Sequence, residues 1–246
     1  MIKIDLNCDL GEGVGNERLL MPLISSCNIA CGGHSGDKGT MIQVARLAKE
    51  HHVLVGGHPS YPDRENFGRK TINISNNELK RSILAQIEGL HRELKSLGMG
   101  LHHIKPHGAL YNNVAKDKEL ALVFLDAIGT YRKTTFLYVP YQSVVAEEAL
   151  RLGFQIKYEA FADRHYHPDL SLVSRKEANA LIHDPKEVLD HLLHMVKKGT
   201  VLTLSGMEVK IRADTYCIHG DSPSSLQILM YLSQQLPMNQ ILMRSE

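Results

Sequence analysis

The run Ile2-Lys3-Ile4-Asp5-Leu6-Asn7-Cys8-Asp9 alternates apolar and polar residues with a period of two. Side chains on a strand point to opposite faces in turn. Ile2, Ile4 and Leu6 therefore share one face, and Lys3, Asp5, Asn7 and Asp9 share the other. An edge strand can carry such a pattern with its polar face in water. The same alternation recurs in later runs that read as central strands, which implies a polar interior on which chemistry can be built.

The chain repeats the order strand, loop, helix. Strands are expected at residues 2–7, 27–31, 53–57, 101–107, 135–139, 154–161, 201–205 and 215–218. Ser75-Asn76-Asn77-Glu78 has the spacing of a capping box. Leu79, Ile83, Ile87, Leu90 and Leu94 follow on one helical face, with a stop expected near Gly98. Asp184-Pro185 opens a second helix with Val188, Leu192, Met195 and Val196 apolar, and Ser222-Pro223 opens a last one running toward Pro237. Strands alternating with helices pair in parallel, so the fold class is α/β. About seven or eight such units fit a closed barrel or an open doubly wound sheet, and both place an active site beyond the C-terminal strand ends. The barrel is favoured, because polar clusters come from nearly every strand and closure lets them converge. No linker or composition shift divides the chain, so residues 1–246 are read as one domain.

The bulk numbers narrow the function. A net charge of +1 over 246 residues, with no long Lys/Arg run, lacks the electrostatic footprint of a nucleic-acid binder. Apolar stretches fall short of the roughly 20 residues of a membrane span, and no signal-peptide pattern precedes Ile2. A cytoplasmic protein with no membrane partner is expected. Cys8, Cys27, Cys31 and Cys217 form no C-x-x-C pair and read as buried free thiols.

Parity locates the chemistry. With Ile104 facing the helix layer, His103, Lys105 and His107 fall together on the opposite face. Phe154, Ile156, Tyr158 and Ala160 leave Lys157, Glu159 and Asp163 on the other side of their run, and Thr203 and Ser205 share a polar face. Asn28 and His34 share parity, His58 ends the third strand, and His219 and Asp221 follow the last. His102 reads as a helix-facing or surface residue, and Lys3 with Asp5 as an ion pair at the barrel floor. Two glycine-containing turns, residues 32–40 and 219–223, lead into helix N-termini suited to anions. In the loop at residues 59–69, Tyr61, Arg64 and Arg69 are candidates for an anion clamp. Walker A, H-E-x-x-H and G-x-S-x-G motifs are absent.

Six segments in this order resemble the LamB/YcsF family: DLNCDLGEGVG, NIACGGHSGD, GGHPSYPD with FGR, KPHGALYN, EAFADR and IHGDSP. They span nearly the whole chain. The resemblance implies a distorted β/α barrel of about seven parallel strands, akin to glycoside hydrolase and deacetylase barrels. It also implies ATP-dependent hydrolysis of 5-oxo-L-proline to L-glutamate, carried out with subunits B and C of a 5-oxoprolinase. Gly33 stands where family members often carry an aromatic residue, and Gly57 where alanine is usual. The stretch after Arg164 also departs from the family pattern, so Asp169 receives no role.

A lactam is a resonance-stabilised amide, and phosphorylating its oxygen turns it into an imidate that water can attack. That route needs cations for the developing charge and a carboxylate base for water. The reading assigns catalysis to Asp9, Glu12, Lys105 and His107, with Asp9 or Glu12 as the base or metal-facing acid. Asn7, His34, His58, Asp163, Arg164, His219 and Asp221 are assigned to substrate or phosphate binding. ATP is expected as cosubstrate, at a site shared with or supplied by the partners, and a divalent ion such as magnesium is compatible. No residue is assigned as a metal ligand in this reading. One alternative is a deacetylase-like hydrolase in which Asp9 and some of His34, His58 and His107 hold a metal. The other is a non-catalytic subunit that binds a small acid.

Overall fold

The alternating N-terminal run forms β1 (Ile2–Leu10) in the computed structural model, which describes residues 1–243. From Ile4 onward β1 is buried on both faces, so its polar set faces a closed interior rather than water. Beside it run β2 (Ser26–Ala30), β3 (Leu54–His58), β4 (His103–Ile104), β5 (Phe136–Pro140) and β6 (Gln155–Phe161), each parallel to the one before. The chain then leaves the ring for an antiparallel hairpin of β7 (Thr200–Leu202) and β8 (Glu208–Lys210). It returns as β9 (Thr215–Ile218), which pairs with both β6 and β1 and closes a barrel of parallel strands. β10 (Ile241–Met243) adds to the first three residues of β1 outside the ring. The expected closed (β/α) barrel is the observed one.

Several expectations change. Residues 201–205 do not form a barrel strand, because Leu202 and Leu204 sit 45% and 41% exposed on the hairpin instead of facing a helix layer. The strand expected at residues 101–107 is regular only at His103 and Ile104. Pro106 has no N–H to extend the ladder, although Lys105 N and His107 N still donate to Gly57 O (2.9 Å) and Pro59 O (2.8 Å). Lys3 is exposed and does not pair with Asp5, whose hydrogen bonds go to Ser26, Thr215 and Tyr138.

The helices covering the barrel are α1 (Glu17–Leu20), α2 (Lys38–Glu50), α3 (Asn76–Ser96), α4 (Gly108–Val114), α5 (Lys118–Ala127), α6 (Val144–Arg151), α7 (Pro185–Lys198) and α8 (Ser225–Met238). The capping box at Ser75 and Glu78 is present. Behind it α3 buries Leu79, Ile83, Ile87, Leu90 and Leu94, each contributing about 1.5–3 kcal/mol. Asp184 caps α7 by accepting from Lys186 N and Glu187 N, and Pro185 occupies its first turn. α8 begins at Ser225, later than the sequence suggests, because Ser222–Ser224 form a turn tied by Ser225 N to Ser222 O (3.0 Å). All four cysteines are buried and free.

Gly33 has a local explanation. The Gln86 amide fills the space above it, bonding Ser60 N (3.0 Å) and Ser60 O (2.9 Å). A Cβ on Gly33 would lie 2.4 Å from both Gln86 Oε1 and Ser60 Oγ. A side chain from α3 thus occupies the place a larger residue at position 33 would need.

Candidate active site at the barrel mouth

The lumen is built in layers. At the floor, Asp5 Oδ2 accepts from Ser26 Oγ (2.9 Å), Tyr138 Oη (3.4 Å) and Thr215 Oγ1. Beside it His103 stacks on Tyr138, with centroids 3.9 Å apart, and its Nε2 lies 2.6 Å from Asn28 Oδ1. The His103 ring fits because Gly56, opposite it on β3, has no side chain.

The middle layer centres on Lys105. Its Nζ lies 2.9 Å from Asp9 Oδ1, 2.9 Å from Glu159 Oε1 and 3.1 Å from Cys217 Sγ. Asn7 Nδ2 donates to Glu159 (3.0 Å) and Thr215 (2.8 Å), while Asn28 Nδ2 donates to Asn7 Oδ1 and Asp9 Oδ1, both at 2.7 Å. Burial opposes the charge on Lys105. Asp9, Cys217 and Glu159 outweigh it and hold the ammonium well above the usual lysine range. Burial likewise opposes charge on Asp9, but His58 and Lys105 keep its carboxyl well below the ordinary value. The result is a buried cation fixed between two carboxylates.

At the mouth, Glu12 Oε1 lies 3.0 Å from His34 Nε2, 3.3 Å from His107 Nδ1 and 3.9 Å from His58 Nε2. His34 and His107 stack with parallel rings 3.7 Å apart. Burial pushes both toward the neutral form, reinforced at His107 by the His34 and His58 rings. Across the opening, Asp163 accepts from His219 N (2.8 Å) and lies 2.9 Å from its Nδ1. Burial opposes charge on Asp163, and His219 overcomes it, leaving the carboxyl below its usual range. Asp221 sits on the rim, bridged to Arg69 and Arg175.

These layers end in an open cavity of about 410 Å³ lined by Asp9, Glu12, Lys105, His107, Arg69 and Arg175 among others. Of the residues assigned from sequence, Asp9, Glu12, His58, Lys105, His107, Arg164 and His219 line it directly. Asn7 lies in the network beneath, His34 behind the His107 ring, and Asp163 behind His219. Arg164 spends its guanidinium on the carbonyls of Val173 and Ala180, and burial pushes it down to about 10.

Several expected anion contacts serve the fold instead. Arg64 latches the carbonyls of Gly32 and Gly36, and the Tyr61 hydroxyl accepts from Asn113 (3.1 Å), so only Arg69 of that loop lines the cavity. Asp37 satisfies the start of α2 by accepting from Thr40 N (2.8 Å). Thr203 and Ser205 bond each other on the hairpin. Asp169 accepts from Ser171 N (2.9 Å) in an exposed turn. Glu159, Cys217 and Arg175 were not assigned to the site. Parity had placed Glu159 on the inward face, and strand alternation put Cys217 two residues from His219. Arg175 lies in a stretch without periodicity and offered no signal.

The family profile described as LamB/YcsF matches residues 4–245. A protein of Thermococcus sibiricus, named as the A-subunit of 5-oxoprolinase, is 42% identical over 240 residues, covering 96% of this chain and 94% of the relative. One of the same name from Staphylococcus aureus strain JH9 is 42% identical over 230 residues, 92% of each chain. The crystal structure of the lactam utilization protein of Thermus thermophilus superposes with a TM-score of 0.92 at 38% identity over 100% of both chains. No helix among the described residues is long and apolar enough to cross a membrane. With its motifs gathered around one barrel mouth and the profile matched from end to end, this chain belongs to the LamB/YcsF family.

Proposed function

We propose that this chain is the barrel subunit of an enzyme that opens 5-oxo-L-proline to L-glutamate with ATP, assembled with subunits B and C. The names of its relatives point to 5-oxoproline and to a multi-subunit enzyme. The observation that carries the chemistry is the Lys105 ammonium, held between Asp9 and Glu159 at the base of a cavity with an arginine rim. A small lactam acid presents one carboxylate and one carbonyl. Arg69 and Arg175, released from Asp221, would take the carboxylate, leaving the ring carbonyl directed toward Lys105 and His107.

Phosphoryl transfer to that oxygen converts the amide into an imidate, and Lys105 stabilises the charge that develops when water adds. Asp9 or Glu12 takes the proton of the water. Breaking the C–N bond frees the amine and leaves an acyl phosphate, which a second water releases as carboxylate and phosphate. ATP would bind at a site shared with the partners or supplied by them.

A second reading, metal-assisted amide hydrolysis, is favoured by the convergence of Glu12, His34, His58 and His107. An ion there would polarise an amide carbonyl as a Lewis acid. The deciding experiment measures glutamate released from 5-oxoproline, with and without ATP, by this chain alone and with its partners. ATP-dependent glutamate from the complex supports the first reading. No glutamate under any combination overturns it.

A further inference from the structure

Three histidines and one glutamate meet at the mouth. His58 Nδ1 lies 2.8 Å from the Lys105 carbonyl, and His107 Nε2 lies 2.9 Å from the Phe67 carbonyl. A carbonyl oxygen only accepts, so each of these nitrogens carries the ring hydrogen. The remaining nitrogens, His58 Nε2 and His107 Nδ1, turn toward Glu12 Oε1, which lies 3.9 and 3.3 Å from them. They lie 3.0 Å from each other, and Asp9 Oδ2 lies 3.4 Å from His58 Nε2. His34 presents Nε2 to Glu12, while its Nδ1 is buried with no hydrogen-bond partner among the described residues. The cluster thus turns three ring nitrogens and a carboxylate oxygen toward one point.

The spacing of those atoms is that of a coordination shell. Bonds of about 2.0–2.1 Å place tetrahedral donors about 3.3 Å apart. Glu12 Oε1 lies 3.0, 3.3 and 3.9 Å from the three imidazole nitrogens, and two of those nitrogens lie 3.0 Å apart. All four donors fall within 4.8 Å of one another. The carbonyls of Lys105 and Phe67 fix the ring tautomers from outside, as outer-shell partners of metal-bound histidines do. The Phe67 ring meets His34 and His107 edge-on at 5.2 and 5.5 Å and closes the apolar side.

We propose that Glu12, His34, His58 and His107 bind one divalent transition ion of the zinc type. Three imidazoles and one carboxylate suit zinc and its neighbours, whereas magnesium demands an octahedron of oxygens. The inference stands on the donor geometry and holds whichever substrate reading is correct. A nearby trio, Asp9, Cys217 and His219, is the competing location.

The test is calorimetry of the full chain, stripped with chelator, titrated with Zn²⁺ and separately with Mg²⁺. The proposal expects one Zn²⁺ per chain, no Mg²⁺ uptake and a rise in melting temperature on loading. His58→Gln and His107→Gln, each confirmed folded by circular dichroism, should weaken Zn²⁺ binding at least tenfold, and Cys217→Ser should leave it unchanged. No uptake by the parent chain overturns the proposal. So does uptake that survives both histidine variants, or that Cys217→Ser abolishes. Because the readout is binding and melting, failure here is separable from failure of the oxoprolinase reading.

Discussion

Asp5 and Asp9 lie four residues apart on the same inward face of β1, yet they titrate in opposite directions. Among the described residues Asp5 hydrogen-bonds only hydroxyls, and its Oδ1 has no hydrogen-bond partner. Burial dominates there and raises its pKa, although Thr215 and Ser26 pull against it. Asp9 meets Asn28 at 2.7 Å, Lys105 at 2.9 Å and His58 at 3.4 Å, and the last two hold its carboxyl below the usual range. Polarity alone therefore does not mark the site. The floor is a closed network whose carboxyl is pushed up by burial, and the mouth holds charge beside an open cavity. Environments that push neighbouring carboxylates apart are where acid–base work is assigned.

The strongest way to break this comparison is Lys105→Met. It leaves Asp9 and Glu159 facing each other in a buried site. About 3–5 kcal/mol of stability should be lost in urea unfolding, and turnover of the assembled enzyme should fall at least about a hundredfold. A stable, active variant would remove Lys105 from the centre of the mouth. On the floor, Gly56→Ala puts a Cβ 2.1 Å from His103 Nε2 and should cost about 1–3 kcal/mol, with Zn²⁺ affinity unchanged. A change in metal affinity there would blur the division between the two halves. Gly33→Ala tests the Gln86 plug from outside the lumen. It should destabilise by a similar amount, and by clearly less in a Gln86→Ala background, as a double-mutant cycle measures.

The smallest expected effects are in pH dependence, and they carry opposite signs. Asp5 keeps its proton in the folded state above the ordinary aspartate value of about 3.9. Stability therefore falls as pH rises from that value through the raised folded pKa, and Asp5→Asn should remove the fall. Asp163 has a depressed folded pKa. Its contribution is complete above about 3.9 and is lost as pH falls toward the folded value, so Asp163→Asn should flatten the acid limb. Denaturant midpoints measured across pH decide both. Equal slopes for the two variants would contradict the floor–mouth distinction.

Much of this was legible in the chain itself. The period of two put Asp5, Asn7 and Asp9 on one face and His103, Lys105 and His107 on another, and the caps at Ser75 and Asp184 marked their helices. Those signals survive because side-chain direction and helix ends depend on neighbours a few residues away. The run at residues 201–205 misled because its alternation also suits an exposed hairpin, and only long-range pairing separates the two. Lys3 and Asp5 share a face, but the ring begins between them, leaving one in water and the other sealed. The partners of Lys105 and the meeting of Glu12, His34, His58 and His107 come from strands and loops far apart in sequence. Sequence by itself determined which side chains share a strand face; barrel closure decided which of those faces turn inward and which side chains touch, because contact across a lumen depends on the shear and register of every strand around it.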